Sequence, residues 1–278
     1  MALYSHKNVI GGMRGKGRVM KSMCGLPLIS IITAVRNEKY EIERVIEEVQ
    51  RQTYTNKEHI IIDGGSHDGT VDILIRKDGD VDYWVSEADA GIYDAMNKGI
   101  DAACGDWLYF FGADDSFYRR DTLEVMIQNK AISDDITLVF GNVIYPDGRF
   151  FRSRFDKKFY YKNRIHHQSA FYRRCVFDKF RYGHDGSSGF KRHLGISGDY
   201  QLNLMLFTRR MKHLYINEVI AKCGRGISME GKLRGYLEEI MIRHQYMNFF
   251  KAIIFDMMTV LRYGLKQIRC CRRRQLGK

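Results

Sequence analysis

The feature that most constrains the fold is a short buried strand that ends in two adjacent carboxylates. Residues 107–111, WLYFF, are all apolar or aromatic, and the segment 112–116, GADDS, follows directly. A run of this length is too short for an ordinary buried helix and predicts a strand. Ligands of open α/β sheets lie beyond the carboxyl ends of the strands, where paired carboxylates suit a cation or hydroxyl groups. The same residues suit a turn before a helix, so this stretch alone favours neither interpretation.

Short apolar runs alternate with helical periodicity through the first half of the chain. Strands are predicted at 28–34, 58–63, 81–85 and 107–111, and a helix capped by Asn37 and Glu38 follows the first of them. Such alternation predicts a parallel sheet with right-handed crossovers. The sequence contains neither GxGxxG nor GxxxxGK[ST], which argues against a dinucleotide dehydrogenase and a P-loop enzyme.

The second half of the chain lacks this regular alternation of strands and helices. A Pro-Asp-Gly turn at 146–148 predicts a hairpin between strands 137–145 and 149–155, and further strands are predicted at 166–172 and 213–220. The glycine-rich segment 183–195 predicts a mobile loop, and a helix is predicted to open within 196–200. Residues 1–25, which are glycine-rich and basic, predict a flexible leader.

Composition restricts the class of partner. The formal net charge of +12 predicts an anionic partner such as a nucleotide, a nucleic acid or an acidic membrane. The six cysteines show no metal-binding spacing and suit a reducing cytosol. The basic start lacks the apolar core of a secretory signal, and no apolar run of about 18 residues predicts a transmembrane helix.

Seven motifs, in one order, resemble those of the family 2 glycosyltransferases with the GT-A fold, particularly the bacterial exopolysaccharide and colanic-acid type. They read ISIITAVRNE, IIDGGSHDGT, SEADAGIYDAMNKGI, GDWLYFFGADD, HHQSAFYRR, ISGDYQL and VIAKCGRGIS. The resemblance implies an α/β fold with a mostly parallel central sheet and flanking helices. It implies a domain over 26–228, with a nucleotide-binding half at 26–116 and an acceptor half at 117–228, before a helical basic tail at 229–278.

The resemblance also implies the roles of individual residues around a nucleotide-sugar donor. The residues implied to meet or border the donor are Thr33, Asn37, Glu38, Asp63, Asp89, Asn97 and Asp114, with Asp63 at the base and Asp114 at the ribose or sugar. Gly112 stands where the family's DxD metal motif has its first acid, so Asp115 is expected to hold the metal. Mn²⁺ or Mg²⁺ suits such oxygen ligands.

Two further residues are open to two interpretations. Asp199 falls where the family keeps its catalytic base, but Ser197 and Asp199 also precede an apolar helix, where Asp is a common N-cap. His167 is expected at the acceptor or diphosphate, although a hydrogen-bonded structural histidine is about equally supported. His166 is predicted to be structural or exposed.

The function implied is an inverting, metal-assisted transfer of a sugar, expected from a UDP-sugar, to a glycan or lipid-linked oligosaccharide in surface polysaccharide synthesis. The alternative is a non-catalytic sugar-nucleotide-binding or scaffold subunit of such a complex. Nucleic acid is not an expected partner, because the charge alone suggests it and no recognition module is present.

The end of the chain predicts a basic amphipathic helix. Apolar residues recur at helical spacing through 250–268, and residues 262–278 contain seven basic residues and no acid. Such a helix binds anionic membranes, which predicts a peripheral position on the inner face of the plasma membrane. The alternative is a helix packed on its own domain or in a homo-oligomer.

Overall fold

The structure is a computed structural model that describes residues 9–18, 20–23, 25–183, 195–224 and 233–276, with side chains to residue 268. Its strands form one ten-stranded sheet. In chain order they are β1 Val9–Gly11, β2 Ile29–Val35, β3 Lys57–Asp63, β4 Tyr83–Ser86, β5 Trp107–Phe110, β6 Ser116–Phe117, β7 Leu138–Ile144, β8 Phe150–Phe151, β9 Ala170–Arg173 and β10 His213–Lys222. The helices are α1 Ile42–Gln50, α2 Thr70–Arg76, α3 Ile92–Ala102, α4 Thr122–Ile127, α5 Gly198–Thr208, α6 Leu233–Tyr246 and α7 Phe249–Leu276.

The strands lie in the order β1-β4-β3-β2-β5-β9-β7-β10-β6, with β8 beside β7. Strands β4, β3, β2 and β5 are parallel, as the alternation of strands and helices predicts. The second half mixes directions, because β9 runs antiparallel to both β5 and β7 while β10 runs parallel to β7. The predicted α/β fold with a central sheet and flanking helices is therefore confirmed, and the antiparallel pairs belong mainly to its second half.

The sheet has a hydrophobic core on each face. Alternate residues of β3 point to opposite sides: Ile60 and Ile62 pack in the core with α3 and α5, whereas Ile61 packs in the core with α1 and α2. This two-residue period is what a strand buried on both faces requires. Buried aliphatic runs in β2 and β3 therefore place their polar ends at one edge of the sheet.

The prediction of a flexible leader is wrong for residues 9–18. Strand β1 pairs antiparallel with β4, and Arg14 forms a 2.7 Å ion pair with Glu58 and donates to the Ala102 carbonyl at 2.7 Å. Backbone pairing with an open sheet edge explains this order, since it depends on main-chain groups rather than on side-chain pattern. The predicted boundary at residue 25 is thus not a boundary of the folded unit.

Several predicted elements differ in the structure. Helix α1 begins only at Ile42, its N-cap is Glu41, and neither Asn37 nor Glu38 caps it. The hairpin strand predicted at 149–155 is reduced to β8, and the strand predicted at 166–172 begins as a 3-10 turn over His167–Ser169. The predicted mobile loop falls almost wholly on residues 184–194, which lie outside the described residues.

Helix α7 packs against α6 through its polar side. Arg243 of α6 is fully buried and donates to Asp256 at 2.9 Å and to the Thr259 hydroxyl at 2.8 Å, and Glu239 pairs with Arg262. The predicted apolar face of α7 points to solvent. Within the described ranges, no helix combines the length and hydrophobicity needed to cross a bilayer.

Candidate active site

The loops after β2 and β3 are joined by hydrogen bonds. Asn37 has the left-handed φ of 58°, its amide N–H donates to Ser66 Oγ at 2.6 Å, and its Oδ1 accepts from the His67 amide at 3.0 Å. The Glu38 amide donates to Thr70 Oγ1 at 2.9 Å. The structure therefore brings Asn37 and Glu38 to the carboxyl edge of the sheet, where the sequence predicts the donor.

Asp63 lies at the same edge as a fully buried acceptor. Its Oδ2 accepts from the Ser66 amide at 2.9 Å and from the Ser86 hydroxyl at 2.6 Å, and its Oδ1 accepts from the Ser66 hydroxyl. These bonds hold the glycine-rich loop after β3 against the end of β4. Contact between Asp63 and a base remains a prediction.

Asp89 is brought to the donor edge, whereas Thr33 and Asn97 are not. Asp89 accepts from the Gly91 amide at 2.9 Å and lies so close to Gly64 that a Cβ there would overlap its carboxylate. Thr33 is fully buried within β2, and its hydroxyl is 3.0 Å from His59 Nε2. We therefore correct its predicted donor contact to a structural role.

Asn97 instead ties helix α3 to the backbone of Tyr182. Its Nδ2 donates to the Tyr182 carbonyl at 3.0 Å, and its Oδ1 accepts from the Tyr182 amide at 2.9 Å. Because both ends of the amide are engaged by the backbone of one residue, its predicted place beside the sugar nucleotide is likewise corrected to an anchoring role.

The turn after β5 is held from inside by two side chains. Arg44 of α1 donates to the carbonyls of Ala113 and Asp115 at 2.7 Å each. The fully buried Asp115 carboxylate accepts from the amides of Gly112 at 2.9 Å and Gly224 at 2.8 Å. It also lies 3.4 Å from Gln168 Nε2, and burial raises the pKa of Asp115 to about 6.

This geometry contradicts the assignment of the metal to Asp115. That carboxylate is enclosed and engaged by backbone donors, whereas its neighbour Asp114 is exposed. Burial raises the pKa of Glu38, and the nearby charge of Asp114 raises it further. Among the described residues no three His, Cys, Asp or Glu side chains form a ready-made metal cluster. Asp114 is thus the carboxylate of this turn that is open to solvent, and its charge acts on Glu38.

The two adjacent histidines have different surroundings. His166 is structural, as one of its predicted alternatives states: its Nε2 lies 2.7 Å from the Tyr145 hydroxyl and its Nδ1 lies 3.3 Å from Gln168 Oε1. Burial, followed by the charge of His166, lowers the pKa of His167 to about 4, although nearby Asp114 opposes this shift. His167 is therefore neutral at pH 7 and lies beside the exposed carboxylate.

Asp199 is the second residue of α5, and the N-cap is Ser197, so the N-cap interpretation of Asp199 is wrong. Its Oδ1 accepts from the Tyr200 amide at 2.9 Å and its Oδ2 accepts from Asn163 Nδ2 at 2.8 Å. Burial raises the pKa of Asp199 to about 6, against the effect of these two bonds. At pH 7 about nine-tenths of the side chain is ionised.

Tyr93 of α3 contacts the residues on the N-terminal side of Asp199. Its hydroxyl donates to the Ile196 carbonyl at 2.7 Å, and a Cβ on Gly198 would lie 2.7 Å from its ring. Tyr93 follows Asp89 by four residues, so the start of α5 stands against the loop that carries Asp89. Burial and the charge of Asp199 raise the pKa of Tyr93, which places the two side chains within electrostatic reach.

Two sequence comparisons find similar proteins. The sequence model described as Glycosyl transferase family 2 matches residues 30–194. A PGL/p-HBAD biosynthesis glycosyltransferase of Mycobacterium bovis (strain BCG) is 37% identical over 156 residues, which cover 54% of this chain and 61% of that protein. The match therefore spans less than two thirds of that relative's length.

Solved structures share the fold. S. aureus TarS 1–349 in complex with UDP-GlcNAc has a TM-score of 0.59 at 11% identity, covering 84% of this chain and 71% of that one. Mannosyltransferase PcManGT from Pyrobaculum calidifontis, in complex with GDP-Man and Mn²⁺, has a TM-score of 0.56 at 16% identity, covering 90% and 80%. At such identities the likeness concerns the fold alone.

Proposed function

The chain belongs to glycosyl transferase family 2, and from this membership we propose that it transfers a sugar from a nucleotide-diphosphate sugar to an acceptor hydroxyl. The observation that supports this proposal is the contact of Tyr93, four residues after Asp89, with Ile196 and Gly198, which lie just before Asp199 in the chain. A base next to a donor site suits a single in-line displacement, which inverts the anomeric configuration. In the non-catalytic alternative, the ionised Asp199 would have no chemical role.

The donor edge suits a nucleotide diphosphate accompanied by a divalent cation. Mg²⁺ is usually held by one or two carboxylates plus substrate phosphates. Asp114 and Glu38 offer such a pair, since the charge of Asp114 raises the pKa of Glu38 beyond the effect of burial. A bound cation neutralises charge that develops on the leaving diphosphate. Asp114 and Glu38 would hold it, and neutral His167 would donate a hydrogen bond to the diphosphate. We propose a UDP-sugar, although the fold also occurs with GDP-Man.

Asp199 would accept the proton of the acceptor hydroxyl. Its two hydrogen bonds, from Asn163 and from the Tyr200 amide, fix the carboxylate on α5. A pKa of about 6 keeps the base ionised at pH 7 while leaving it more basic than an ordinary aspartate. Asn163 lies in the polar segment before His166, so the acceptor half supplies both the base and the residue that orients it.

A panel of UDP- and GDP-sugars, each with and without Mn²⁺, tests this proposal by thermal shift and by product formation. A ligand at 100 times its dissociation constant stabilises the folded state by about 2.7 kcal/mol. We expect one class of sugar nucleotide to raise the melting temperature and to be hydrolysed slowly without acceptor. Binding without any turnover, with or without glycan acceptors, would favour the non-catalytic subunit instead.

We also propose that helices α6 and α7 dock the enzyme on an anionic membrane, where a lipid-linked acceptor would be found. Apolar side chains along the outer side of α7 are more than half exposed: Phe249, Phe250, Ile254, Met257, Val260, Leu261 and Ile268. The polar side of the same helix faces α6, so its apolar stripe has no core to join. The acid-free run of seven basic residues in 262–278 favours anionic lipid as the occupant.

Vesicle flotation tests this surface with matched variants. Met257→Glu with Leu261→Glu should weaken binding to anionic vesicles at least tenfold, since burying each such side chain contributes about 1.5–3 kcal/mol. Ile75→Glu is the control, because Ile75 is an exposed aliphatic residue of α2, on the other face of the sheet. Equal binding to neutral vesicles would contradict the anionic partner. A wild-type dimer that the double variant abolishes would identify an interface between copies.

A further inference from the structure

A buried carboxylate on α6 holds the chain where it enters α5. The Gly195 amide donates to Glu238 Oε1 at 2.8 Å, and the amides of Ile196 and Ser197 donate to Oε2 at 3.0 Å each. Glu238 is 2% exposed. Arg234, one turn earlier in α6, donates to Oε1 at 2.9 Å. One carboxylate therefore gathers three consecutive backbone N–H groups and a guanidinium.

A buried charge persists only when its hydrogen bonds compensate for lost hydration. Charge-assisted bonds of this kind are about twice as strong as neutral ones. All three amides belong to the residues immediately before α5, whose second residue is Asp199. The Ser197 hydroxyl adds a 3.3 Å bond to the Gly235 carbonyl of α6. The start of α5 is thus fastened to α6 at four points.

The opposite side of α6 is fastened to α7. Glu239, the next residue along the helix, is equally buried and pairs with Arg262, while Arg243 binds Asp256. Glu238 therefore faces the entry of α5 while its neighbour faces α7. This geometry gives Glu238 a task that general packing does not explain, since an apolar residue would leave three amides without acceptors.

We infer that Glu238 is a positioning residue, which sets where the Asp199 carboxylate stands relative to the acceptor. The catalytic meaning of this inference rests on the proposed function of Asp199. A displacement of about 1 Å in a reacting group costs about 10²-fold in rate. Glu238 touches neither donor nor acceptor in this scheme, so its loss should reduce turnover without weakening donor binding.

The test compares Glu238→Gln with Glu58→Gln in the full chain. Glu58 is a matched control: it is 1% exposed, pairs with Arg14, and accepts from the Cys104 amide at 2.7 Å. It lies at the start of β3, at the opposite edge of the sheet from Asp199. Both substitutions remove a buried, arginine-paired charge, so both should lower the melting temperature.

Only Glu238→Gln should lower kcat, by roughly 10- to 100-fold, with the donor Kd unchanged within about twofold. Two readouts do not depend on activity: amide hydrogen exchange at 195–197 and the carboxyl NMR titration of Asp199. We expect faster exchange there and an Asp199 pKa that falls from about 6 toward its usual 3.8 as water enters. Ser197→Ala is the milder second variant, expected to move both readouts in the same direction.

The outcomes separate the two proposals. Unchanged exchange and titration in Glu238→Gln would overturn the positioning role, whatever the activity. An equal loss of kcat in Glu58→Gln at an equal loss of melting temperature would overturn it as well. Failure of the wild type to turn over any sugar nucleotide would refute the proposed function, while exchange and titration would still decide whether Glu238 positions Asp199.

Discussion

Replacing Asp199 by asparagine should make the protein more stable and nearly inactive at the same time. Burial raises the pKa of this carboxyl from 3.8 to about 6, and a shift of about two units corresponds to roughly 3 kcal/mol. Asparagine removes that cost but cannot accept from both Asn163 and the Tyr200 amide, which costs about 1 kcal/mol. The net gain at pH 7.5 is about 2 kcal/mol, or roughly 4–8 °C in a chain of this size.

The sign of the pH dependence follows from the raised pKa. The folded state binds the proton of Asp199 more tightly than the unfolded state, so its contribution to stability is complete below about pH 3.8 and is lost as the pH rises through about 6. The ionisation cost in the wild type should therefore fall to about half at pH 5. The advantage of Asp199→Asn should shrink accordingly.

Thermal melts of wild type and Asp199→Asn at pH 5 and 7.5, beside kcat and donor affinity, measure both effects. Turnover should fall by about 10²–10⁴-fold with donor affinity retained, as for the loss of a positioned base. Asp134→Asn, at an exposed aspartate, is the control and should change neither quantity. A variant that is less stable by the same amount at both pH values would refute the argument that the carboxylate is desolvated.

Three further predictions follow from the same geometry. The kcat/KM of the wild type should fall about tenfold per pH unit below pH 6 as Asp199 is protonated in the free enzyme, which a pH–rate profile checks. Asp114→Asn should remove the Mn²⁺ dependence of donor binding in calorimetry without changing the melting temperature. Asp115→Ala should instead lose roughly 3 kcal/mol of stability in urea, because the buried amides of Gly112 and Gly224 lose their acceptor. Arg44→Met should also cost about 2–3 kcal/mol in urea, since two carbonyls of the same turn lose their donor.

The sequence predicts the parallel strands that end at the donor edge, because the signals for those strands are local. Apolar runs such as residues 58–63 are typical of strands that are buried on both faces of a parallel sheet. Polar loops that contain glycine mark where these strands end. The sequence does not distinguish Ser197 from Asp199 as the N-cap of α5, because both residue types suit that position. In the structure the N-cap is Ser197. Local pattern thus places the segments but does not rank neighbouring residues.

The division of labour between Asp114 and Asp115 could not be predicted from their own segment. It arises because Gly224, Gln168 and Arg44 enclose one carboxylate and leave the other exposed. Arg44 carries no signal of this role, since an arginine on an amphipathic helix usually lies in solvent. Three-dimensional contacts between distant segments supply what local spacing lacks.

The order of the N-terminal segment was mispredicted for a related reason. Strand β1 joins the sheet through its backbone, which composition does not report. In α7 the helical period is correct, but the buried side is the polar one, because Arg243, Asp256 and Thr259 form the contact. Hydrophobic periodicity indicates that a helix has two sides and leaves open which side the domain uses.

The bond between Asp115 and the Gly224 amide joins residues that are 109 positions apart. A ribosome that adds 5–20 residues per second makes the second residue roughly 5–20 s after the first. Until then, the carboxylate that ends up enclosed has only its own turn and, later, Gln168 to bind. The proposed donor site would therefore be completed only after Gly224 has been made, and nascent chains that stop before this glycine should not retain the donor, however well their parallel strands have already formed.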